Sequence, residues 1–366
     1  MKILIDASAS FLYHSTGIGS YAAELINGFR EISPAADIFL FSGDAVYALN
    51  DTDLPTPETE TAFWEKICTK KAAISGAFDL YHNLHNGIAM KGIAGKQIVT
   101  IHDMIPFILP ECCGSPYREL FLSQTAAAAE KADAVITVSE NSKKDILRFT
   151  RAREERIHVI REAPKHRCKP LPPAMTEEFL RSRYRLSSPF FLYVGGFNKR
   201  KNVAGLIRGY ASVYRQFPYI CPLVIVGREG NRRKHLEELA ESLSVARYIR
   251  FVGYVPDGEL PFFYSQCKAL IYPSFYEGFG LPPLEAAACH TAVITSKRAS
   301  LPEIMGDCAL YAEAENPLSI GMQMKRLLDD EKERNRLAEK AYRRSQNFSR
   351  RIAAEETLKL YENICR

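Results

Sequence analysis

Ser274-Phe275-Tyr276-Glu277-Gly278-Phe279-Gly280-Leu281-Pro282-Pro283-Leu284-Glu285 follows the apolar run Ala269-Leu270-Ile271-Tyr272 and opens a helix expected over 283–289. Prolines suit a first helical turn, where their missing N–H groups would be unpaired in any case. Gly278 and Gly280 allow the backbone to approach a ligand closely. The unpaired N–H groups and the positive end of the helix dipole then favour an anion such as a diphosphate. Glu277 and Glu285 flank this loop. A carboxylate beside a phosphate site is unfavourable unless it binds something else, and sugar or ribose hydroxyls are the natural partners. An ordinary Gly-Pro turn with two exposed glutamates is the competing reading, and it does not account for so many special residues in so short a stretch.

Outward from this loop the chain alternates short apolar runs with amphipathic stretches. Strands are expected at 2–7, 37–41, 78–82, 97–103, 134–138 and 157–160. Helices are expected at 19–32, 119–132 and 141–149. Residues 163–176 carry Pro164, Pro170, Pro172 and Pro173 after a basic run and read as a linker. The alternation then resumes, with strands at 190–194, 223–226, 249–252, 269–272 and 292–295. Helices are expected at 203–216, 234–243, 259–265, 283–289, 317–329, 331–347 and 349–365, the last capped by Ser349. The pattern is α/β: two doubly wound, mostly parallel sheets in tandem. In such sheets ligands bind at the carboxyl ends of strands. That directs attention to Lys199-Arg200-Lys201, which follows a strand and two glycines and offers fixed positive charge to a departing diphosphate. It also directs attention to His102 and Asp103 at the end of another strand.

The 366 residues are long enough for two cores. With 46% hydrophobic and 25% charged residues the composition is that of a soluble globular chain, not a disordered or fibrous one. No apolar stretch is long enough to span a membrane. Asp6 interrupts the first apolar run, which therefore reads as a strand and not a secretion signal. The nine cysteines form no C-x-x-C pair and read as small core residues in a reducing cytoplasm. The net charge of +5 is uneven. Ten basic residues against four acidic ones lie between Lys143 and Lys169, among them Lys144, Arg148, Arg151, Arg153 and Lys165. A solvated helix face is the plain reading of that stretch; an anionic membrane surface is the alternative.

The chain resembles the retaining glycosyltransferases of family GT4, which have the GT-B fold of two Rossmann-like domains facing a cleft. Glu277 to Glu285 matches their E-x7-E hallmark. Gly17-Ile18-Gly19-Ser20-Tyr21 is similar to their N-terminal glycine loop, and Thr100-Ile101-His102-Asp103 to their strand end. Val138 to Ile146, Tyr193-Val194-Gly195-Gly196 with Arg200-Lys201-Asn202, and Phe251-Val252-Gly253 also match. The resemblance implies an acceptor-binding domain over 1–164, a nucleotide-sugar-binding domain over 165–347, and a helix over 348–366 that crosses back to the first domain. It implies Glu285 on the donor ribose and Glu277 by the donor sugar. The amides of Gly278, Phe279, Gly280 and Leu281 would meet sugar or phosphate oxygens, and Lys201 the diphosphate. His102 would contact the donor sugar, and Gly17 and Gly19 would line the donor site. Gly195-Gly196 stand where many members have Gly-Arg, so Arg200 is the expected second cation. Arg350 stands where members often have Trp.

Three other readings compete with this one. Gly17-Ile18-Gly19-Ser20-Tyr21-Ala22 fits a dinucleotide fingerprint, but Ser8 to Thr16 separate it from its strand. Asp51-Thr52-Asp53 resembles a metal-binding D-x-D but lies among turn prolines. His82 and His85 lack a third ligand at zinc-like spacing. The expectation is a retaining hexosyltransferase without metal or other cofactor, cytoplasmic or peripheral at the inner face of a membrane. Mannose from GDP-mannose is the first candidate donor, a glycan or lipid-linked saccharide the acceptor, and no nucleic acid is a partner. In motif style the chain resembles the mannosyl- and rhamnosyltransferases of surface polysaccharide assembly. A GT-B phosphorylase or epimerase, or a silent sugar-nucleotide-binding subunit, are the alternatives.

Overall fold

The computed structural model describes residues 1–8, 10, 16–42, 45–51, 78–87, 95–187, 189–217, 221–228 and 231–366. Thr52, Asp53 and Cys68 lie outside them. The chain divides into two compact units, Met1–Ala163 with Phe348–Arg366, and Pro164–Asn347.

The first unit holds strands β1 (Lys2–Asp6), β2 (Asp37–Ser42), β3 (Ala45–Ala48), β4 (Leu80–Asn83), β5 (Lys96–Ile101), β6 (Ala134–Thr137) and β7 (Ile157–Val159). They are ordered β3-β2-β1-β4-β5-β6-β7, and all pair in parallel except β2 with β3. The antiparallel β3 is an addition to the expected set. The interior strands are buried on both faces, which is why they read as unbroken apolar runs. One hydrophobic cluster gathers Val99, Ile101, Phe121, Val135, Ile146 and Ile157. Helix Gly17–Ile32 packs on the closing helix Arg350–Cys365. Ser349 caps the latter by accepting from the Ile352 amide at 3.2 Å, as its sequence suggested. Arg350, in place of an aromatic residue, reaches Glu31 at 2.8 Å and Glu24 at 3.7 Å. The closing helix also enters the interior through Tyr361. Its hydroxyl meets His82 Nδ1 at 2.5 Å, while His82 Nε2 meets Thr100 Oγ1 at 2.8 Å.

The second unit holds β8 (Phe191–Val194), β9 (Leu223–Val226), β10 (Ile249–Gly253), β11 (Ala269–Tyr272), β12 (Val293–Ser296) and β13 (Leu310–Ala312). The order is β10-β9-β8-β11-β12-β13, entirely parallel. Both sheets reverse their winding beside their first strand, so crevices open at the carboxyl ends of β1 and β4 and of β8 and β11. Three features differ from the sequence expectation. Helix Pro173–Tyr184 begins inside the stretch assigned to the linker, because Pro173 occupies its first turn. The short strand β13 and the short helix Leu301–Met305 were not expected.

Gly28 makes the crossing of the Gly17–Ile32 and Arg350–Cys365 helices close. A Cβ there would run into the Arg350 carbonyl oxygen and lie 2.9 Å from Ala354 Cβ. Gly28→Ala should therefore destabilise the protein by about 1–3 kcal/mol despite alanine's better helix propensity. The effect would appear as a lower denaturant midpoint at unchanged slope. An unchanged midpoint would show that the two helices separate without cost.

Candidate active site

A buried cluster of charge in the second unit lies at the carboxyl ends of β8 and β11. After β8 the chain makes a short 3-10 turn, Lys199–Lys201, capped by the Asn198 side chain. After β11 it enters the Pro273–Gly280 loop. The two segments are joined by the Phe275 amide donating to the Arg200 carbonyl at 2.8 Å. Arg200 Nη1 then reaches Glu277 Oε2 at 2.5 Å and the Tyr276 carbonyl at 2.6 Å. Lys201 Nζ reaches Glu277 Oε1 at 2.8 Å and the Tyr272 hydroxyl at 2.5 Å, and sits 4.9 Å from the Tyr272 ring centroid. Glu277 is only 6% exposed. Burial alone would raise its carboxyl pKa, but the Arg200 and Lys201 charges overcome that and hold it at about 2. Glu277 is thus a carboxylate throughout the physiological range.

The loop is rigidly braced. Ser300 donates to a carbonyl of the loop, that of Glu277 at 2.9 Å or Phe279 at 2.7 Å. The Thr295 hydroxyl donates to the Tyr272 carbonyl at 2.9 Å. Gly280 has φ +118°, where a side chain would be strained, and a Cβ would lie 2.9 Å from Leu301 Cδ2. Gly278, Phe279 and Leu281 are buried with it. Helix Leu281–Ala288 starts here with its prolines in the first turn. Glu285 is one turn beyond Leu281, so it shares that face of the helix, and helical side chains lean toward the N-terminus. It is 2% exposed. The Tyr264 hydroxyl donates to its Oε2 at 2.8 Å, and Lys165 Nζ lies 3.6 Å from Oε1 and 2.9 Å from Asp257 Oδ1.

In the first unit His102 follows β5 directly and is buried. Its Nε2 lies 2.9 Å from the Leu84 carbonyl, which can only accept, so Nε2 carries a proton. Its Nδ1 faces Glu162 Oε1 at 3.0 Å, and its backbone amide donates to Asn86 Oδ1 at 2.9 Å. Burial opposes charge on this ring, but Glu162 outweighs it and raises the pKa of the imidazole. Gly17 and Gly19 lie in the first turn of their helix, two residues earlier than the periodicity placed its start. There the Gly19 amide donates to the capping Thr16 side chain at 3.3 Å. His82 is neutral: burial first, and the nearby His102 charge second, lower its pKa to about 3. Among the described residues no group of three or more His, Cys, Asp or Glu is arranged to hold a metal ion.

Arg200, Lys201 and Glu277 therefore form one cluster, with Glu285 on the helix that the same loop opens. His102 has its own shell in the first unit. Tyr272, Tyr264, Ser300, Lys165 and Glu162 were not singled out as site residues from sequence. Two of them left a trace: Tyr272 ends an apolar run with a hydroxyl, and Glu162 is an isolated acid among basic residues just past a strand. The basic stretch is less uniform than its composition suggests. Lys143 pairs with Glu154 at 3.2 Å and Arg153 with Glu155 at 3.4 Å. Ile146 is fully buried, and half-buried Phe149 packs beside Phe107 at 5.5 Å.

Two Rossmann-like units, the second with a charged cluster at its β8/β11 switch, are those of the GT-B fold. Residues 176–344 match the family described as glycosyl transferases group 1, so the chain carries a domain of that family. The O-antigen chain mannosyltransferase B of Escherichia coli is 27% identical, over 99% of this chain and all of its own length. Sucrose-phosphate synthase from Thermosynechococcus elongatus superposes with a TM-score of 0.79 at 21% identity, covering 99% of this chain and 98% of its own. HepE from Anabaena, solved with UDP and glucose, superposes with a TM-score of 0.72 at 17% identity, covering 99% of each chain. The family match and the mannosyltransferase relative support a glycosyltransferase enzyme, with an O-antigen enzyme among its relatives.

The Glu277 cluster predicts an acid dependence. A carboxyl depressed from 4.5 to about 2 stabilises the fold above its unfolded pKa, and the contribution is lost as pH falls through about 2. At about 1.4 kcal/mol per pKa unit this amounts to roughly 3 kcal/mol. Glu277→Gln should therefore be less stable than wild type at pH 7, and the difference should narrow between pH 5 and pH 2. Chemical denaturation across that range measures it; a difference independent of pH would sever Glu277 from its cations.

Proposed function

We propose that the protein transfers a hexosyl group from a nucleotide diphosphate sugar to a glycan or lipid-linked saccharide, with retention at the anomeric carbon. Mannose from GDP-mannose is the first candidate donor, in keeping with the full-length mannosyltransferase relative. The observation that carries the reading is the pair of cations, Arg200 and Lys201, held by one buried carboxylate at a strand-to-helix switch. A departing nucleoside diphosphate gains negative charge, and preorganised cations lower the barrier to that step. A general acid works best with a pKa near the operating pH. Glu277 at about 2 is far from that, so its part is to hold the cations and accept donor-sugar hydroxyls. Glu285 takes the ribose.

This reading assigns no side chain as a nucleophile. In a front-side step the anomeric carbon–phosphate oxygen bond breaks and the bond to the acceptor oxygen forms on the same face. The acceptor's proton passes to the leaving phosphate. The cations take the place a metal would fill, so EDTA should leave turnover unchanged. His102, with its orientation set by Glu162 and Leu84, is the first unit's candidate for substrate contact. A lipid-linked acceptor would be met at a membrane, with exposed Lys144, Arg148 and Arg151 as the contacts for anionic lipid.

Lys201→Ala should lower turnover by ~10²–10³ per folded molecule, beyond the stability it loses by leaving Glu277 to Arg200 alone. Glu285→Ala should weaken nucleotide diphosphate binding by roughly 1–3 kcal/mol, read by calorimetry. A panel of GDP, UDP and dTDP sugars, with the product's anomeric configuration read by NMR, tests donor and stereochemistry together. An inverted product, or wild-type turnover in a folded Lys201→Ala, would overturn the reading.

A further inference from the structure

Lys165 belongs by composition to the basic stretch before the second unit, yet its ammonium does not face open solvent. It is held 2.9 Å from Asp257 Oδ1, which follows β10, and 3.6 Å from Glu285 Oε1. The lysine side chain is 18% exposed and the Glu285 side chain 3%. Asp257 is the closer partner and fixes the ammonium in place. The separation from Glu285 is too long for a direct hydrogen bond, so a donor hydrogen and a carboxylate oxygen face each other across a short gap.

We propose that Lys165 is a specificity-determining residue for the donor, reading a ribose hydroxyl together with Glu285. Hydroxyl-to-carboxylate bonds are about 2.7 Å long and ammonium-to-hydroxyl bonds about 2.9 Å. With the 3.6 Å separation these lengths close a triangle. One hydroxyl oxygen can thus accept from Lys165 while its own proton is donated to Glu285 Oε1. A carboxylate alone would accept from any donor placed there. Carboxylate and ammonium side by side require a group that both donates and accepts, which a ribose hydroxyl does and a deoxy carbon does not. The Tyr264 hydroxyl on Oε2 fixes the orientation of the carboxylate, leaving Oε1 to the ligand. The Lys165 carbonyl accepts from the Cys168 amide at 2.8 Å, so the lysine sits on a closed turn, not on a free strand of linker.

The proposal rests on the reading that Glu285 binds the ribose, and the test separates the two. Calorimetry would compare GDP with 2′-deoxy-GDP and 3′-deoxy-GDP, and UDP with its deoxy counterparts, on wild type, Lys165→Met, Lys165→Gln and Glu285→Gln. Wild type should prefer the ribonucleotide over at least one deoxy form by ten- to a hundredfold. Lys165→Met should reduce that preference to threefold or less by weakening the ribonucleotide and leaving the deoxy form nearly unchanged. Lys165→Gln, a shorter neutral donor, should fall between. If wild type shows no preference, or Glu285→Gln retains it, the ribose reading of Glu285 fails. If Glu285→Gln loses the preference while a folded Lys165→Met or Lys165→Gln keeps it, the ribose reading stands and Lys165 is only structural. Equal weakening of ribo and deoxy ligands by Lys165→Met overturns the proposal in the same way.

Discussion

The second unit depends on one buried carboxylate meeting two cations. Arg200 and Lys201 come from the turn after β8, and Glu277 from the loop after β11. Those two strands are neighbours in the sheet although two other strand–helix pairs separate them in sequence. Removing a single partner from such a cluster leaves uncompensated charge in a poorly solvated place, which is far costlier than removing an exposed ion pair. The loop bracing therefore has an electrostatic reason. Ser300 and Thr295 fix the backbone on which Glu277 stands, and Tyr272 fixes Lys201 from below. If either side moved by an ångström, hydrogen bonds of 2.5–2.8 Å would open.

The strands of both sheets were legible because parallel strands covered on both faces must be apolar along their whole length, as in Leu223-Val224-Ile225-Val226. What was not legible follows the same logic. The antiparallel β3 lies at an edge, and its four residues, Ala45-Val46-Tyr47-Ala48, are too short a run to stand out as a strand. Helix Pro173–Tyr184 hid behind prolines that elsewhere mark linkers, and here fill its first turn. In the site, the carboxylates and cations announced themselves by glycine and proline context. Their supports did not. Tyr264 and Tyr272 look like core residues, and both are core residues with a hydroxyl aimed at a charged group. Lys165 and Glu162 were submerged in a stretch whose net charge drew attention to its surface. Only the fold shows that each turns inward, Glu162 to His102 and Lys165 to Glu285.

The spacing of the two site glutamates has a physical cause. Three residues of loop, Gly278 to Gly280, separate Glu277 from the helix it precedes, and Glu285 falls one turn inside that helix. A longer stretch would turn Glu285 off the Leu281 face, and a shorter one would draw Glu277 away from the β8 turn. Gly280 with φ +118° makes the change of direction between them. The two carboxylates can thus lie at one end of one short helix and still have separate partners, Arg200 and Lys201 for one and Tyr264 and Lys165 for the other.

Separate partners give the two acids different chemistry. Glu277 makes direct contact with both of its cations and is held ionised far below neutral pH. Glu285 has one short bond, from the neutral Tyr264, and its cation stands off by 3.6 Å. A diphosphate entering beside Glu277 must compete for cations already engaged, so binding there exchanges one anion for another and keeps the buried charge balanced. A hydroxyl entering beside Glu285 breaks no bond, because it completes a bridge that the geometry leaves open. The first arrangement suits a group whose charge changes during reaction, and the second suits a group that must only be recognised.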